Sequence, residues 1–173
     1  MERIDEQLSG VKSCAILGHI RPDGDSVGSV LGMYHYLRDN YPQIRADVYL
    51  HPFTEDFQEV LPGAKEVRGE DSGEVYDLCI ALDTSTKDRL GDFEELFDRA
   101  KHTVCVDHHF TNPGFAEVNA VDAKASAASE LICLLMDPEK ISQRTADCLY
   151  TGIVHDTGCF CHDNTTERTM QVA

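Results

Sequence analysis

Short apolar segments alternate with segments of helical spacing along the first two thirds of this 173-residue chain. The predicted strands are residues 14–17, 45–50, 76–82 and 103–106, and residues 115–121 alternate as an edge strand would. Helical spacing begins at Ser26, where Val27, Val30 and Leu31 start one apolar face. Strands that alternate with helices are typical of an open, mostly parallel sheet with helices on both faces. The sequence therefore predicts an α/β domain.

The last third of the chain is predicted to be helical. Residues 126–136, with Ser126 as the N-cap, and a segment capped by Ser142 both carry apolar residues at helical spacing. A further helix over 165–173 shows no Gly or Pro stop signal. We therefore interpret residues 1–173 as a single domain and as the front part of a longer protein.

The formal net charge of −16 excludes a broad basic surface for long duplex nucleic acid. A phosphate substrate then needs positive charge inside the site, which bound metal ions would provide. No apolar run is long enough to cross a bilayer, and the charged N-terminus does not resemble an export signal. Seven cysteines without a CxxC pair are typical of a reducing compartment. We predict a cytoplasmic protein without a membrane partner.

Acidic and histidine residues follow three of the predicted strands. They are His19, Asp23 and Asp25 after the first strand, Asp83 after the third, and Asp107, His108 and His109 after the fourth. The carboxyl ends of parallel strands form the ligand crevice of such a sheet, so these side chains are expected to meet. Asp156, at the end of a predicted helix, can add another carboxylate. Carboxylates and imidazoles together favour a divalent metal site. For the first segment the alternative is structural: Asp25 or Ser26 caps the helix, and His19 makes an ordinary hydrogen bond.

Four segments, HIRPDGDSVGS, ALDTS, VDHH and GIVHDTG, resemble in this order the motifs of the DHH phosphoesterase family. Within the family the likeness is greatest to bifunctional oligoribonucleases (nanoRNases) that also dephosphorylate 3′-phosphoadenosine 5′-phosphate. The resemblance implies a Rossmann-like DHH domain over residues 1–173. It also implies that the smaller C-terminal domain, which grips the substrate in this family, is absent from the chain.

By this resemblance the site holds two divalent ions. One is held by His19, Asp23 and Asp83, and the other by Asp25, Asp83, His108 and Asp156, so that Asp83 bridges them. The four carboxylates carry a charge of −4, which two divalent cations would balance. Mixed oxygen and imidazole ligands suit Mn²⁺, while Co²⁺, Fe²⁺ and Mg²⁺ remain open.

The resemblance also suggests roles for residues outside the metal set. His109 would contact the phosphate or assist the leaving group, with packing of the strand end as its alternative role. Asp107 would orient a histidine ring. Ser126 would contact the substrate phosphate, although the family usually has a second serine where this chain has Ala127. Arg21 is left open between a substrate phosphate and a neighbouring acid, and His155 is given no role.

The expected activity is Mn²⁺-dependent hydrolysis of short single-stranded oligoribonucleotides or of 3′-phosphoadenosine 5′-phosphate. Cyclic dinucleotides and inorganic pyrophosphate are the alternative substrates, because pyrophosphatases share this ligand pattern. A non-catalytic module that senses nucleotides or metals is the alternative of another class. Homodimerisation, the preferred nucleotide and the oligomer length are left open.

Overall fold

Five parallel strands form the centre of the computed structural model, which describes residues 1–173. They are β1 (Ser13–Leu17), β2 (Arg45–Tyr49), β3 (Leu78–Leu82), β4 (His102–Asp107) and β5 (Val118–Val121). Their order in the sheet is β2-β1-β3-β4-β5, and each neighbouring pair is parallel. The prediction of an open parallel sheet is confirmed, and the segment predicted as an edge strand lies at the edge as β5.

Six α-helices and four 3-10 segments connect and cover the strands. The helices are α1 (Gly24–Asn40), α2 (Glu55–Val60), α3 (Glu94–Arg99), α4 (Ala128–Leu135), α5 (Gln143–Asp156) and α6 (Glu167–Val172). The 3-10 segments are Ile4–Gln7, Ala64–Glu66, Lys87–Phe93 and Pro138–Lys140. The predicted helical last third is confirmed. No helix is long and apolar enough to cross a membrane.

Apolar side chains fill both faces of the sheet. On β1, Cys14 and Ile16 belong to the larger core cluster under α1, α4 and α5, whereas Ala15 and Leu17 face a smaller cluster on the other side. The smaller cluster is closed by side chains from the Lys87–Phe93 segment and α3, among them Phe93. Burial of one such large apolar side chain contributes about 1.5–3 kcal/mol. A sheet covered on both faces leaves mainly its strand ends for binding.

The chain changes direction in the sheet between β1 and β3. From β1 it proceeds to β2 on one side, and it then returns to place β3 and β4 on the other side. In sheets of this kind a crevice opens beyond the carboxyl ends of the strands at the point of reversal. The loops after β1, β3 and β4 therefore meet at one place.

Two predicted helix starts need correction. α1 begins at Gly24, two residues before the predicted Ser26, because the Asp23 carboxylate accepts the backbone N–H groups of Asp25 and Ser26. Neither Asp25 nor Ser26 therefore caps this helix. α4 begins at Ala128 with Ala127 as its N-cap residue, and the Ser126 side chain does not cap it.

Candidate active site

The loops after β1 and β3 bring together three of the predicted metal ligands. His19 Nε2 lies 3.3 Å from Asp83 Oδ2 and 3.7 Å from Asp23 Oδ2. His19 and Asp83 are buried, whereas the Asp23 side chain is 44% exposed. Their ligand atoms are close enough to surround one cation, and Asp23 leaves this group open to solvent.

The loop after β4 and the end of α5 bring together a second group. His108 Nε2 lies 3.3 Å from Asp156 Oδ2, 3.5 Å from Asp83 Oδ1 and 3.9 Å from Asp25 Oδ2. Asp25, His108 and Asp156 offer ligand atoms within reach of one cation. All six residues predicted as metal ligands therefore lie in one cluster.

Asp83 lies between the two groups, and each of its carboxylate oxygens faces a different histidine. Asp83 is 2% exposed, and its Oδ1 has no hydrogen-bond partner in the protein. A buried carboxylate oxygen without a donor is costly, so a cation is the partner that this oxygen fits. The oxygen and imidazole donor set also fits a divalent transition metal. The donor atoms of the cluster therefore fit a bound metal ion.

The His19 ring is held in a defined orientation. Its Nδ1 lies 2.7 Å from the carbonyl oxygen of Ile20, so Nδ1 carries the proton that this contact requires. Nε2 therefore faces Asp23 and Asp83, and its lone pair becomes available to a metal ion once Nε2 gives up its proton. Burial alone would lower the pKa of His19, but hydrogen bonds to Asp23 and Asp83 outweigh burial and raise it to about 10.

Asp25 joins the site to the start of α4. Its two oxygens accept the backbone N–H groups of Ala128 at 2.6 Å and Ser129 at 3.0 Å. A helix N-terminus favours a negative charge, so these donors hold the carboxylate in place. Burial and the nearby charges of Asp83 and Asp156 nevertheless raise the pKa of Asp25 well above its usual value.

The pKa values of the second group show the same excess of negative charge. Burial and the Asp83 charge raise the pKa of Asp156. Burial alone would lower the pKa of His108, but its contact with Asp83 and the charges of the neighbouring carboxylates raise it to about 9. Carboxylates that gain protons and histidines that hold them are expected where negative charges are crowded. Divalent cations would relieve this crowding.

His109 lies beside the metal cluster with one ring nitrogen committed. Its Nδ1 is 2.7 Å from Asp107 Oδ1, and its side chain is 42% exposed. Asp107 is fully buried, and its Oδ2 accepts a hydrogen bond from Asn112 Nδ2 at 2.8 Å. The hydrogen bond to Asp107 raises the pKa of His109. Burial alone would raise the pKa of Asp107, but hydrogen bonds from His109 and Asn112 lower it. This hydrogen bond fixes the plane of the His109 ring, and Asn112 is a participant that the sequence did not reveal.

Ser126 does not fit its predicted contact with substrate. It is fully buried, and its hydroxyl donates to Glu130 at 2.7 Å. The hydroxyl is therefore neither free nor accessible to a phosphate. Glu130, also fully buried, pairs with Arg168 of α6 at 2.6 Å and accepts from Thr169 at 2.8 Å. Sequence reasoning missed this ion pair, which ties α4 to α6.

Asn164 links this network to the metal cluster. Its side-chain amide donates to the carbonyl oxygens of Ser126 and Asp156, both at 3.1 Å. His155 is exposed, and its Nδ1 lies 3.5 Å from Asp156 Oδ1. The structure thus places His155 at the edge of the cluster, although the sequence gave no reason to assign it a role.

Residues with unfavourable backbone angles border the site. The non-glycine residues with positive φ are Arg21, Asp83, Cys159 and Phe160. Arg21 (φ 53°) lies in the loop after β1, Asp83 (φ 52°) follows β3, and the other two come soon after Asp156. Such conformations cost about 1–3 kcal/mol each and persist where the surrounding structure enforces them, commonly at functional sites.

A doubly covered parallel sheet with an acidic and histidine cluster at its switch point defines the class of protein. The sequence of residues 13–153 matches the family model for the DHH family, N-terminal domain. The chain therefore belongs to the DHH family. DHH phosphoesterases are metal-dependent, which agrees with the groups of possible metal ligands in this structure.

Curated relatives and a solved structure extend this result. The chain is 32% identical over 162 residues to the bifunctional oligoribonuclease and PAP phosphatase NrnA of Bacillus subtilis (strain 168), with 90% of this chain and 49% of the relative covered. It is 31% identical over 180 residues to NrnA of Thermus thermophilus, with 100% and 52% covered. An exopolyphosphatase-related protein from Bacteroides fragilis superimposes with a TM-score of 0.86 at 25% identity, with 97% and 53% covered. The chain spans about half the length of these proteins.

Proposed function

We propose that this chain is the catalytic domain of a metal-dependent phosphoesterase that hydrolyses short oligoribonucleotides and 3′-phosphoadenosine 5′-phosphate. The two NrnA relatives support this substrate class, because their names describe both activities. The observation that carries the proposal is the position of Asp83, whose oxygens face His19 on one side and His108 on the other. A single bridging carboxylate of this kind suits a pair of cations.

The metal ligands follow from the two groups described above. In this proposal His19, Asp23 and Asp83 hold one ion, and Asp25, Asp83, His108 and Asp156 hold the other. Mixed carboxylate and imidazole ligands favour Mn²⁺ in both positions. The four carboxylates balance the charge of two divalent ions, so that the site no longer repels an anionic substrate. Bound ions would supply positive charge to the phosphate and lower the pKa of a water molecule.

The residues outside the metal set bind and orient the substrate. His109 holds its Nδ1 proton against Asp107, which leaves Nε2 for a phosphate or leaving-group oxygen. In this role the protonated ring donates a proton to the leaving oxygen. Asp107 stabilises that protonated form and fixes the plane of the ring. Ser126 is not part of the proposal, because its hydroxyl is buried against Glu130. A cytoplasmic location remains a prediction from the sequence.

An activity screen tests the proposed function. The full-length protein is incubated with Mn²⁺ and a diribonucleotide, 3′-phosphoadenosine 5′-phosphate, a cyclic dinucleotide or pyrophosphate, and the products are separated. We expect hydrolysis of the first two, loss of activity on chelation, and loss of both metal binding and activity in Asp83→Ala. Faster hydrolysis of pyrophosphate or of the cyclic dinucleotide would overturn the substrate assignment. Metal binding by the full-length protein without hydrolysis of any substrate would favour a sensing module, and normal turnover by Asp83→Ala would refute the bridging role.

A further inference from the structure

Two arginines of this acidic chain have no carboxylate partner, and both lie at the candidate active site. The chain has nine arginines, and seven of them pair with a carboxylate. Arg21 and Arg89 make no such pair, although the chain offers 31 acidic side chains. Lys12, Lys65 and Lys124 are also unpaired, but a lysine ammonium is more strongly hydrated and lacks the planar fork that matches a phosphate.

Both arginines are tied to the loop that carries His19. The Arg89 carbonyl oxygen accepts the Ile20 N–H at 2.7 Å, and its guanidinium lies 3.5 Å from the Ile20 carbonyl oxygen. Arg89 NH2 also lies 3.2 Å from His19 Nδ1, which is itself a donor toward Ile20 and cannot satisfy the guanidinium. Arg89 therefore keeps free donors beside the metal cluster.

Arg21 is the residue after Ile20, and its side chain is exposed. No carboxylate or carbonyl oxygen holds its guanidinium by an ion pair or hydrogen bond. Its φ of 53° places a non-glycine residue in the left-handed region, which is unfavourable and signals a conformation that the loop enforces. An exposed arginine without a partner, on a strained loop next to a catalytic cluster, fits an anion that arrives with the substrate.

We propose that Arg21 and Arg89 form a second anion subsite, on the His19 side of the metal cluster, which binds a phosphate of the substrate other than the one that is hydrolysed. Guanidinium groups bind phosphate through charge-assisted, often bidentate hydrogen bonds. The subsite gives the enzyme a preference for nucleotides that carry two phosphate groups over nucleotides that carry one. This inference rests on the proposed function, because it assigns the second phosphate of the same substrates.

The test compares two nucleotides that differ in one phosphate group. 3′-Phosphoadenosine 5′-phosphate carries the second phosphate, and adenosine 3′-phosphate lacks it. For Arg21→Ala and Arg89→Ala we expect kcat/KM on the first nucleotide to fall about 10- to 100-fold, the range for one hydrogen bond to a charged group. On adenosine 3′-phosphate, kcat/KM should change less than about threefold, because this nucleotide lacks the phosphate that the subsite would bind.

The matched control is Arg144→Ala. Arg144 is an exposed arginine that pairs with Asp39 at 2.7 Å, and neither residue belongs to the site. Its removal should leave both nucleotides within about twofold of the wild type. Arg89 also contacts His19, so Arg89→Ala can act by displacing a metal ligand. A Mn²⁺ titration of each variant detects such a displacement, and Arg89→Lys keeps the positive charge while it removes the guanidinium. Arg21 makes no hydrogen bond or ion pair with a metal ligand, so an equal loss on both nucleotides in Arg21→Ala, or no loss on either, overturns the subsite.

Failure of the proposed function would look different. If the full-length wild-type protein hydrolyses neither nucleotide, the proposed activity is wrong, and equilibrium binding of the same two nucleotides then tests the subsite alone. Weaker binding of 3′-phosphoadenosine 5′-phosphate by Arg21→Ala, with unchanged binding of adenosine 3′-phosphate, would support the subsite. Equal binding of both nucleotides by Arg21→Ala and wild type would overturn it.

Discussion

Gly28 lets α1 and α5 approach each other closely, and Gly28→Ala should force them apart. A methyl group at this position would lie 2.5 Å from the Cys148 carbonyl oxygen, 2.9 Å from the Gly152 nitrogen and 3.2 Å from the Gly152 Cα. Favourable contact begins near 3.5 Å, so the shortest of these distances is about 1 Å too small. The opposing atoms are backbone and cannot rotate away.

The expected loss of stability follows from two opposing effects. Overpacking costs about 1–3 kcal/mol, and the rigid backbone contact places Gly28→Ala near the upper value. Alanine is favoured over glycine in a helix by about 1 kcal/mol. The net loss should be about 2 kcal/mol in the free energy of unfolding, which lowers the urea midpoint by about 1 M for a slope near 2 kcal/mol/M.

Urea unfolding followed by circular dichroism measures this loss. The matched control is Gly69→Ala, where the added methyl group would have no atom within 4 Å and the backbone is not left-handed. Its stability should stay within about 0.5 kcal/mol of the wild type. Because α1 carries Asp25 and α5 ends at Asp156, folded Gly28→Ala should also bind Mn²⁺ more weakly. A Gly28→Ala protein as stable as Gly69→Ala would show that the two helices separate without cost and would refute this reasoning.

Three further predictions concern the site and its supports. Burial alone would raise the pKa of Glu130, but hydrogen bonds from Ser126, Thr169 and Arg168 lower it. Ionised Glu130 should therefore stabilise the folded protein above pH ~4.3, and this stabilisation should be lost as the pH falls through the folded-state pKa. The stability difference between wild type and Glu130→Gln, from urea unfolding, should thus be about 1.5–3 kcal/mol at pH 7 and shrink below pH ~4.3; a constant difference would contradict this. His109→Ala should lower turnover about 10²- to 10⁴-fold with unchanged Mn²⁺ affinity in a titration. Asn112→Ala should lower turnover about 10- to 100-fold, and a wild-type rate would show that it does not act through Asp107.

The sequence predicts the cluster well where the position of a residue depends on its own strand. His19, Asp83 and His108 each come within two residues of the end of an apolar run, and the carboxyl ends of parallel strands meet whatever the order of the strands. The location of these residues could therefore be inferred without knowing that β1 lies between β2 and β3. The order itself depends on long-range pairing, such as Ile16 beside Val48 and Ile80, which no local pattern reveals.

The residues that sequence reasoning missed act through distant partners. In the sequence Glu130 looks like an ordinary acidic residue of a helix. In the structure it is fully buried, and its partner Arg168 lies 38 positions later in the chain. Arg89 acts on the His19 loop, 70 positions earlier in the chain, partly through its own carbonyl oxygen. The predicted substrate contact of Ser126 does not fit for a similar reason. Its hydroxyl donates to Glu130, and Glu130 is in turn held by Arg168 and Thr169 of α6.

The carboxylates of the site differ in how the protein itself satisfies them, and this difference indicates where cations are needed. Asp23 accepts two backbone N–H groups at the start of α1, and Asp25 accepts two at the start of α4. Asp83 lies between them, buried, with an oxygen that no donor in the protein reaches. Backbone donors therefore fix the outer carboxylates before any ligand binds, whereas buried Asp83 depends on positive charge. Protonated His19 and His108 supply this charge when no metal ion is bound, and cations would take their place. A site that draws in cations must still attract an anionic substrate, which is the role that we propose for the unpaired Arg21 and Arg89.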